Sequence, residues 1–374
     1  MFYIYRMTDT NLSKSKRSGA LDLFRFLAIV AVYFGHFADT FNLTYNIVPE
    51  NLSYNPVVKY FDPALMVFFM VSAFVVTMST MKRSLKDFFV IRVSRLYPLY
   101  WISCIAAFFL SRFAAEHTYL ARLPLKAFIA NLTMFPGVFG FPFLNPVFHT
   151  MAIELCFYVF IMLILGFKLW NKILVIFTIV LVLCYINYFL APAVQLYTLA
   201  AYFMGGMLFY FIFSKKYTQW KVYVLLAFNF SLSLLSCQAT AAARSASYQQ
   251  FNIVVNPWIL VIIVTVIYLL FLLISLRKLN IPGYILFQRL GEITYPFYLS
   301  HLYFLGIYWY FRNTIQPDLL LIFILILVLI TAWTINVTIE KPLSRFATYI
   351  ITTVANLFDK KAFGKKNESV THDF

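Results

Sequence analysis

Charge is what this chain has least of. Asp, Glu, Lys and Arg make up 12% of its 374 residues, and only 14 residues are acidic. Soluble domains carry about 25% charged and about 45–50% apolar residues, so a soluble globular domain is excluded. Abundant Phe, Tyr, Ile and Leu with so little charge exclude a disordered chain as well. The four cysteines (Cys104, Cys156, Cys184 and Cys237) lie in or beside apolar runs, with neither CxxC nor metal-ligand spacing. They read as small apolar packing side chains, and no metal site is expected. No A-x-A cleavage pattern follows Lys14, Lys16 and Arg17, so the first apolar segment reads as a retained helix, not a removed signal peptide. Internal repeats, low-complexity linkers and a second soluble domain are also missing.

What is present is apolar: 62% of the residues are hydrophobic and 20% aromatic. Several stretches approach the roughly 20 residues that cross a bilayer core of about 30 Å. Ten spans are expected, near residues 20–38, 63–80, 96–111, 146–166, 172–190, 194–213, 221–237, 257–276, 293–311 and 318–340. The fold class is therefore an all-α integral membrane protein with about ten transmembrane helices. It divides into a short N-terminal segment (1–19), a membrane domain (20–346) and a C-terminal tail (347–374). The formal charge of +16 does not point to nucleic acid, because the basic residues lie between the spans. With ten spans, 23 of the 30 Lys and Arg residues fall on one side and six on the other, Arg25 lying within the first span. Positive loops favour the cytoplasm, so both termini are expected there.

Ionisable groups inside apolar spans are costly, which makes each a functional candidate. Arg25 and His36 stand eleven residues apart, within about 20° of three full helical turns, so they share a face about 16 Å apart along the axis. A snorkelling Arg with an unrelated interfacial His is the bland alternative. Glu154 lies about eight residues into a span entered from the outer side, at a depth similar to that of His36. A carboxylate there must be paired, protonated or facing water. His149 and Thr150 precede it by about one turn and are expected to face the same way. Asp39 lies near the end of the first span. Arg92 and Arg95, in a basic segment read as a loop, are spaced to clamp a phosphate or simply to anchor a cytoplasmic loop. His301 lies mid-span after Pro296, which breaks backbone hydrogen bonding. A packing histidine is an equal reading of it.

Together these segments resemble membrane acyltransferase family 3, a bacterial family of O-acyltransferases. GALDLFRFLAIVAVYFGHF resembles its Arg-x10-His signature. VFFMVSAFVV resembles its FF-x-x-SGF segment, with Ala73 where Gly is usual. FFVIRVSRLYPLYW resembles its Arg-x-x-Arg-(Leu/Ile)-Tyr-Pro stretch. NPVFHTMAIELCFYV resembles its Trp-Ser-Leu-x-x-Glu-x-x-Phe-Tyr stretch, with His149 for Trp and Thr150 for Ser. LGEITYPFYLSH and IEKPLSRF resemble its last two blocks. The six blocks occur in order between residues 19 and 346.

The resemblance implies a stand-alone acyltransferase of the bacterial inner membrane, without a fused periplasmic hydrolase-like domain. Acetyl-CoA would be its donor substrate, with no tightly bound cofactor, and a carbohydrate or glycolipid its acceptor. Arg92 and Arg95, helped by Arg25, would hold the donor phosphates. His36 would act as general base, or as a covalent acyl carrier. Glu154 would orient His36 or position the acceptor, and Asp39, His149, Thr150 and His301 would line the pocket. A transporter or flippase of a glycan or lipid intermediate is the competing class. It calls for inverted repeats, and none is found.

Overall fold

The computed structural model describes residues 19–44, 57–81, 83–114, 122–190, 196–248, 253–282 and 284–368. Fourteen α-helices run through them: α1 (Gly19–Thr44), α2 (Pro63–Thr80), α3 (Leu85–Ala114), α4 (Leu125–Asn131), α5 (Phe148–Gly166), α6 (Ile173–Leu190) and α7 (Leu196–Ser214). There follow α8 (Gln219–Ser247), α9 (Pro257–Ser275), α10 (Ile285–Glu292), α11 (Thr294–Ser300), α12 (Leu305–Phe311), α13 (Pro317–Ile335) and α14 (Lys341–Glu368). No strand occurs among the described residues. In a bilayer only helices satisfy every backbone group within one segment.

Eight helical segments among the described residues are long and apolar enough to cross a membrane, α1, α2, α3, α5, α6, α8, α9 and α13 each heading one. The two remaining expected spans differ. Within α7 the apolar part, Leu199–Ser214, is shorter. The expected span 293–311 is broken into α11, a 3-10 turn at His301–Phe304, and α12. Pro296, with no N–H to donate, sits at the start of that broken run.

The helices form two compact units. The first comprises residues 1–78 and 174–294, the second residues 79–173 and 295–374. In the first unit, α7 meets α2 backbone to backbone. A Cβ on Gly206 would lie 2.2 Å from the Met70 carbonyl oxygen and 2.8 Å from the Ala73 Cβ. Small residues are what let membrane helices approach so closely, and the pairing accommodates Ala73. Asn229 of α8 then ties three helices together: its Nδ2 donates to the Ala201 carbonyl (2.9 Å) and its Oδ1 accepts from the Tyr268 hydroxyl (2.7 Å).

In the second unit, α3 begins eleven residues before the expected span. The segment read as a basic loop is helix from Leu85, capped by Ser84, whose Oγ accepts from the Asp87 N–H at 3.1 Å. Its charges depressed the apparent hydropathy, but helix packing absorbs them. Pro98 inside α3 leaves the Ser94 carbonyl without its usual partner four residues on. Ser344 Oγ of α14 donates to that carbonyl (2.7 Å), and Thr348 Oγ1 donates to Ser94 Oγ (2.9 Å). α14 thus continues past residue 346 in contact with α3, and Lys86 Nζ donates to Asn356 Oδ1 at 2.8 Å.

Three interhelical junctions share another feature. Lys168, Lys215 and Arg277, just beyond α5, α7 and α9, adopt left-handed backbones (φ 55°, 51° and 57°). Glycine is the usual residue there. Each of these three carries a positive charge at a helix C-terminus, where the helix dipole favours it.

Candidate active site

In the first unit, α1 presents Asp22 and Arg25 on its buried face, with half-buried His36 near its far end. Between Arg25 and His36 that face carries buried Ala28, Ile29, Val32 and Tyr33. The shared face expected from the eleven-residue spacing is therefore present. α10 packs against α1, and its Gly291 explains how: a Cβ there would lie 2.5 Å from Asp22 Oδ1. The Leu-Gly pair of LGEITYPFYLSH thus brings a late block of sequence against the turn that carries Arg25.

The far end of α1 meets the 3-10 turn Val58–Tyr60. Gly35 faces Phe61 there, and a Cβ on it would stand in ordinary contact, 3.5 Å from the Phe61 Cβ. That turn is anchored from three directions. Lys59 Nζ donates to the Val254 carbonyl (2.8 Å), Tyr60 Oη accepts from the Asn256 N–H (3.1 Å), and Arg244 pairs with Asp62 through two guanidinium nitrogens. The turn packed against the end of α1 is thereby fixed. The side chain of Asp39 lies outside the described residues.

The second unit holds the other cluster. Arg92 of α3 is buried, and its Nη2 donates to Ser79 Oγ at 2.7 Å. Its guanidinium lies 5.4 Å from the ring centroids of both Phe88 and Tyr158, which meet edge-on. Such cation–π contacts stabilise a desolvated cation. Arg92 Nε finds no hydrogen-bond partner among the described residues. Buried Glu154 of α5 is bonded by the Tyr158 hydroxyl, which donates to Oε1 at 2.5 Å from one helical turn away. Arg95 stands one turn along α3 from Arg92. It keeps open surface while lying within electrostatic range of Glu154, Glu340, Tyr158 and Tyr295.

Two guanidinium groups and two carboxylates thus share one region of this unit. The balance matters, because a buried charge left without its counter-charge costs about 3–5 kcal/mol. Glu340 reaches the cluster from a π-helical turn, Asn336–Glu340, between α13 and α14. Tyr295 closes another side, its hydroxyl donating to the Leu96 carbonyl at 2.6 Å.

The remaining expected pocket residues divide: Thr150 and His301 meet at Tyr298, and His149 turns away. Thr150 is buried, its Oγ1 lying 2.8 Å from the Val147 carbonyl and 2.7 Å from the Tyr298 hydroxyl, so that its single proton serves one of the two. It keeps the hydroxyl of the Ser usual in the related motif. His149 does not face the same way: it is exposed, with Nδ1 2.5 Å from the Pro146 carbonyl. One residue along a helix turns a side chain through about 100°, enough to take it off the buried face. His301 is fully buried, its Nδ1 2.8 Å from the Tyr298 carbonyl and its ring stacked on Phe297.

Ser79 and Asn336 were not singled out in the sequence, and Tyr158, Tyr295 and Glu340 entered it only as motif positions without a role. The signal was there for three of them. Tyr158 follows Glu154 by four residues, and Asn336 precedes Glu340 by four in an otherwise apolar run, the spacing of helix neighbours.

Arg25 and His36 belong to the first unit, and Arg92, Arg95, Glu154, Thr150 and His301 to the second. Within each, blocks far apart in sequence meet: 19–37 with 290–291 in the first, and 88–101, 145–159, 295–301 and 339–346 in the second. Compared with known proteins, the chain matches a family described as an acyltransferase domain over residues 18–338. No curated protein and no solved structure matches it.

Proposed function

The chain belongs to acyltransferase family 3, and from that premise we propose that it moves an acetyl group from acetyl-CoA to a hydroxyl of a surface polysaccharide or its lipid-linked precursor, such as O-antigen. The bilayer it occupies is the bacterial inner membrane, with both termini in the cytoplasm. The observation that carries this reading is the Arg92–Arg95 pair on α3. Arg92 is buried with Nε unbonded, and Arg95 is open to an incoming anion. Guanidinium groups suit phosphates because they present paired donors in a rigid fork. Most of the basic residues fall on the side where coenzyme A is made, and α3 begins on that side.

The chemistry then needs a base toward the other face. His36, half-buried near the end of α1, takes the proton of the acceptor hydroxyl as its oxygen attacks the thioester carbonyl carbon. The C–S bond breaks, and the imidazolium returns the proton to the leaving thiolate. Neutral imidazole has the right basicity near pH 7, and such proton transfer contributes roughly 10²- to 10⁴-fold. Arg25, on the same helix face, serves the donor arm. Glu154 balances the arginines that hold the donor.

The test is donor affinity. Arg92→Ala and Arg95→Ala, purified and folded, are expected to bind acetyl-CoA at least about tenfold more weakly, with only partial recovery in Arg→Lys. Unchanged affinity in both alanine variants would reduce the pair to membrane anchoring.

A further inference from the structure

The closing block IEKPLSRF has no part in the chemistry above, yet the structure gives one of its residues a defined place. α13 and α14 are one nearly continuous helical run, interrupted only by the π turn Asn336–Glu340. Pro342 accounts for the interruption. It has no N–H, and its ring crowds the carbonyl four residues back, so the turn widens and the Lys341 N–H bonds the Asn336 carbonyl five residues back. Such bulges recur at functional sites because they re-aim side chains.

Here the widened turn packs against α3. Asn336 and Glu340 are buried while Thr338 is exposed, and Asn336 Nδ2 donates to Glu340 Oε2 at 2.7 Å. An amide is thus spent on fixing a carboxylate inside an apolar run. Glu340 lies within electrostatic range of Arg95 and of Tyr295, whose hydroxyl bonds the Leu96 carbonyl, the residue after Arg95. Ser344 and Thr348, one and two turns further along α14, bond Ser94, the residue before Arg95. Both backbone neighbours of Arg95 are therefore gripped from outside α3.

We propose that Glu340 is a positioning residue. Anchored by Asn336 at the π turn, it orients the Arg95 guanidinium toward the phosphates of the acyl donor. The inference rests on the donor reading of Arg95. It assigns the closing Glu-Lys-Pro to two tasks: Pro342 opens the turn, and Glu340 uses the opening.

Acetyl-CoA affinity of the purified full chain in lipid nanodiscs tests it, with thermal unfolding measured in parallel. Glu340→Gln keeps an oxygen to accept from Asn336 and removes only the charge. It is expected to weaken acetyl-CoA binding roughly tenfold with the protein still folded, its unfolding temperature lowered by the loss of one counter-charge. Glu340→Asp should recover part of the loss. Asn336→Leu, which frees the carboxylate from its anchor, should fall between Glu340→Gln and wild type. Adding Glu340→Gln to Arg95→Ala should cost nothing further, since the two act through one guanidinium. Affinity lost in Arg95→Ala but kept in both Glu340→Gln and Asn336→Leu would overturn this inference alone, as would losses that add in the double variant. Unchanged affinity in Arg95→Ala would overturn the donor reading, and the inference with it.

Discussion

At the scale of single residues, Tyr158 connects more of the second cluster than any other side chain. Its ring faces Arg92 and meets Phe88 edge-on, while its hydroxyl bonds Glu154. Tyr158→Phe separates these roles, keeping the ring and deleting one charge-assisted hydrogen bond. Turnover is expected to fall about tenfold, with the protein still folded. Glu154→Gln should be more severe. It removes the carboxylate that faces both Arg92 and Arg95 and leaves Glu340 facing Arg95, and an uncompensated buried cation is costly. Initial rates of acyl transfer by the two variants check both statements. Wild-type rates in either would remove the tyrosine–glutamate pair from the account. The glycines obey a plainer rule: Gly206 and Gly291 stand where a Cβ would collide with the Met70 carbonyl or the Asp22 carboxylate.

At the scale of elements, the junctions after α5, α7 and α9 trade stability for charge. A left-handed backbone costs a residue other than glycine about 1–2 kcal/mol, yet Lys168, Lys215 and Arg277 occupy these positions. Lys215→Gly is therefore expected to raise stability by about 0.5–1 kcal/mol, allowing for glycine's greater freedom in the unfolded chain. A denaturation series in detergent would show it, and a lower midpoint would contradict it. Such junctions also mark what the sequence made legible. Long apolar runs announced α1, α2, α5, α6, α9 and α13 near their observed bounds, because hydropathy alone decides them. α3 was clipped because Lys86, Asp87, Arg92 and Arg95 masked a helix that capping and cation–π contacts sustain. The broken run 294–311 was foreshadowed by Pro296, but its 3-10 turn at His301 depends on tertiary packing. In the candidate site, the face shared by Arg25 and His36 followed from helical geometry. Glu340 stands four residues after Asn336, but its role depends on the π turn that packs against α3, which spacing alone does not show. His149 was placed on the wrong side of α5 because one turn was treated as a single direction.

At the scale of the whole molecule, the claim is vectorial: donor on one side of the bilayer, acceptor on the other. On a ten-span topology the 23-to-6 distribution of Lys and Arg is expected to leave Ser247, at the end of α8, outside and Ser214, at the end of α7, inside. An impermeant thiol reagent applied to intact cells should label a cysteine at Ser247 and leave one at Ser214 untouched. The reverse pattern would invert the orientation. The central claim is that this protein acetylates a glycan hydroxyl using His36 as base. Mass spectrometry of surface glycans tests it most directly, comparing cells that lack the gene with the same cells complemented by wild type or by His36→Ala. The account predicts a mass increment of one acetyl group restored by wild type and absent with His36→Ala, both proteins being present in the membrane in equal amounts. The same increment with His36→Ala, or glycans identical in all three, would contradict it.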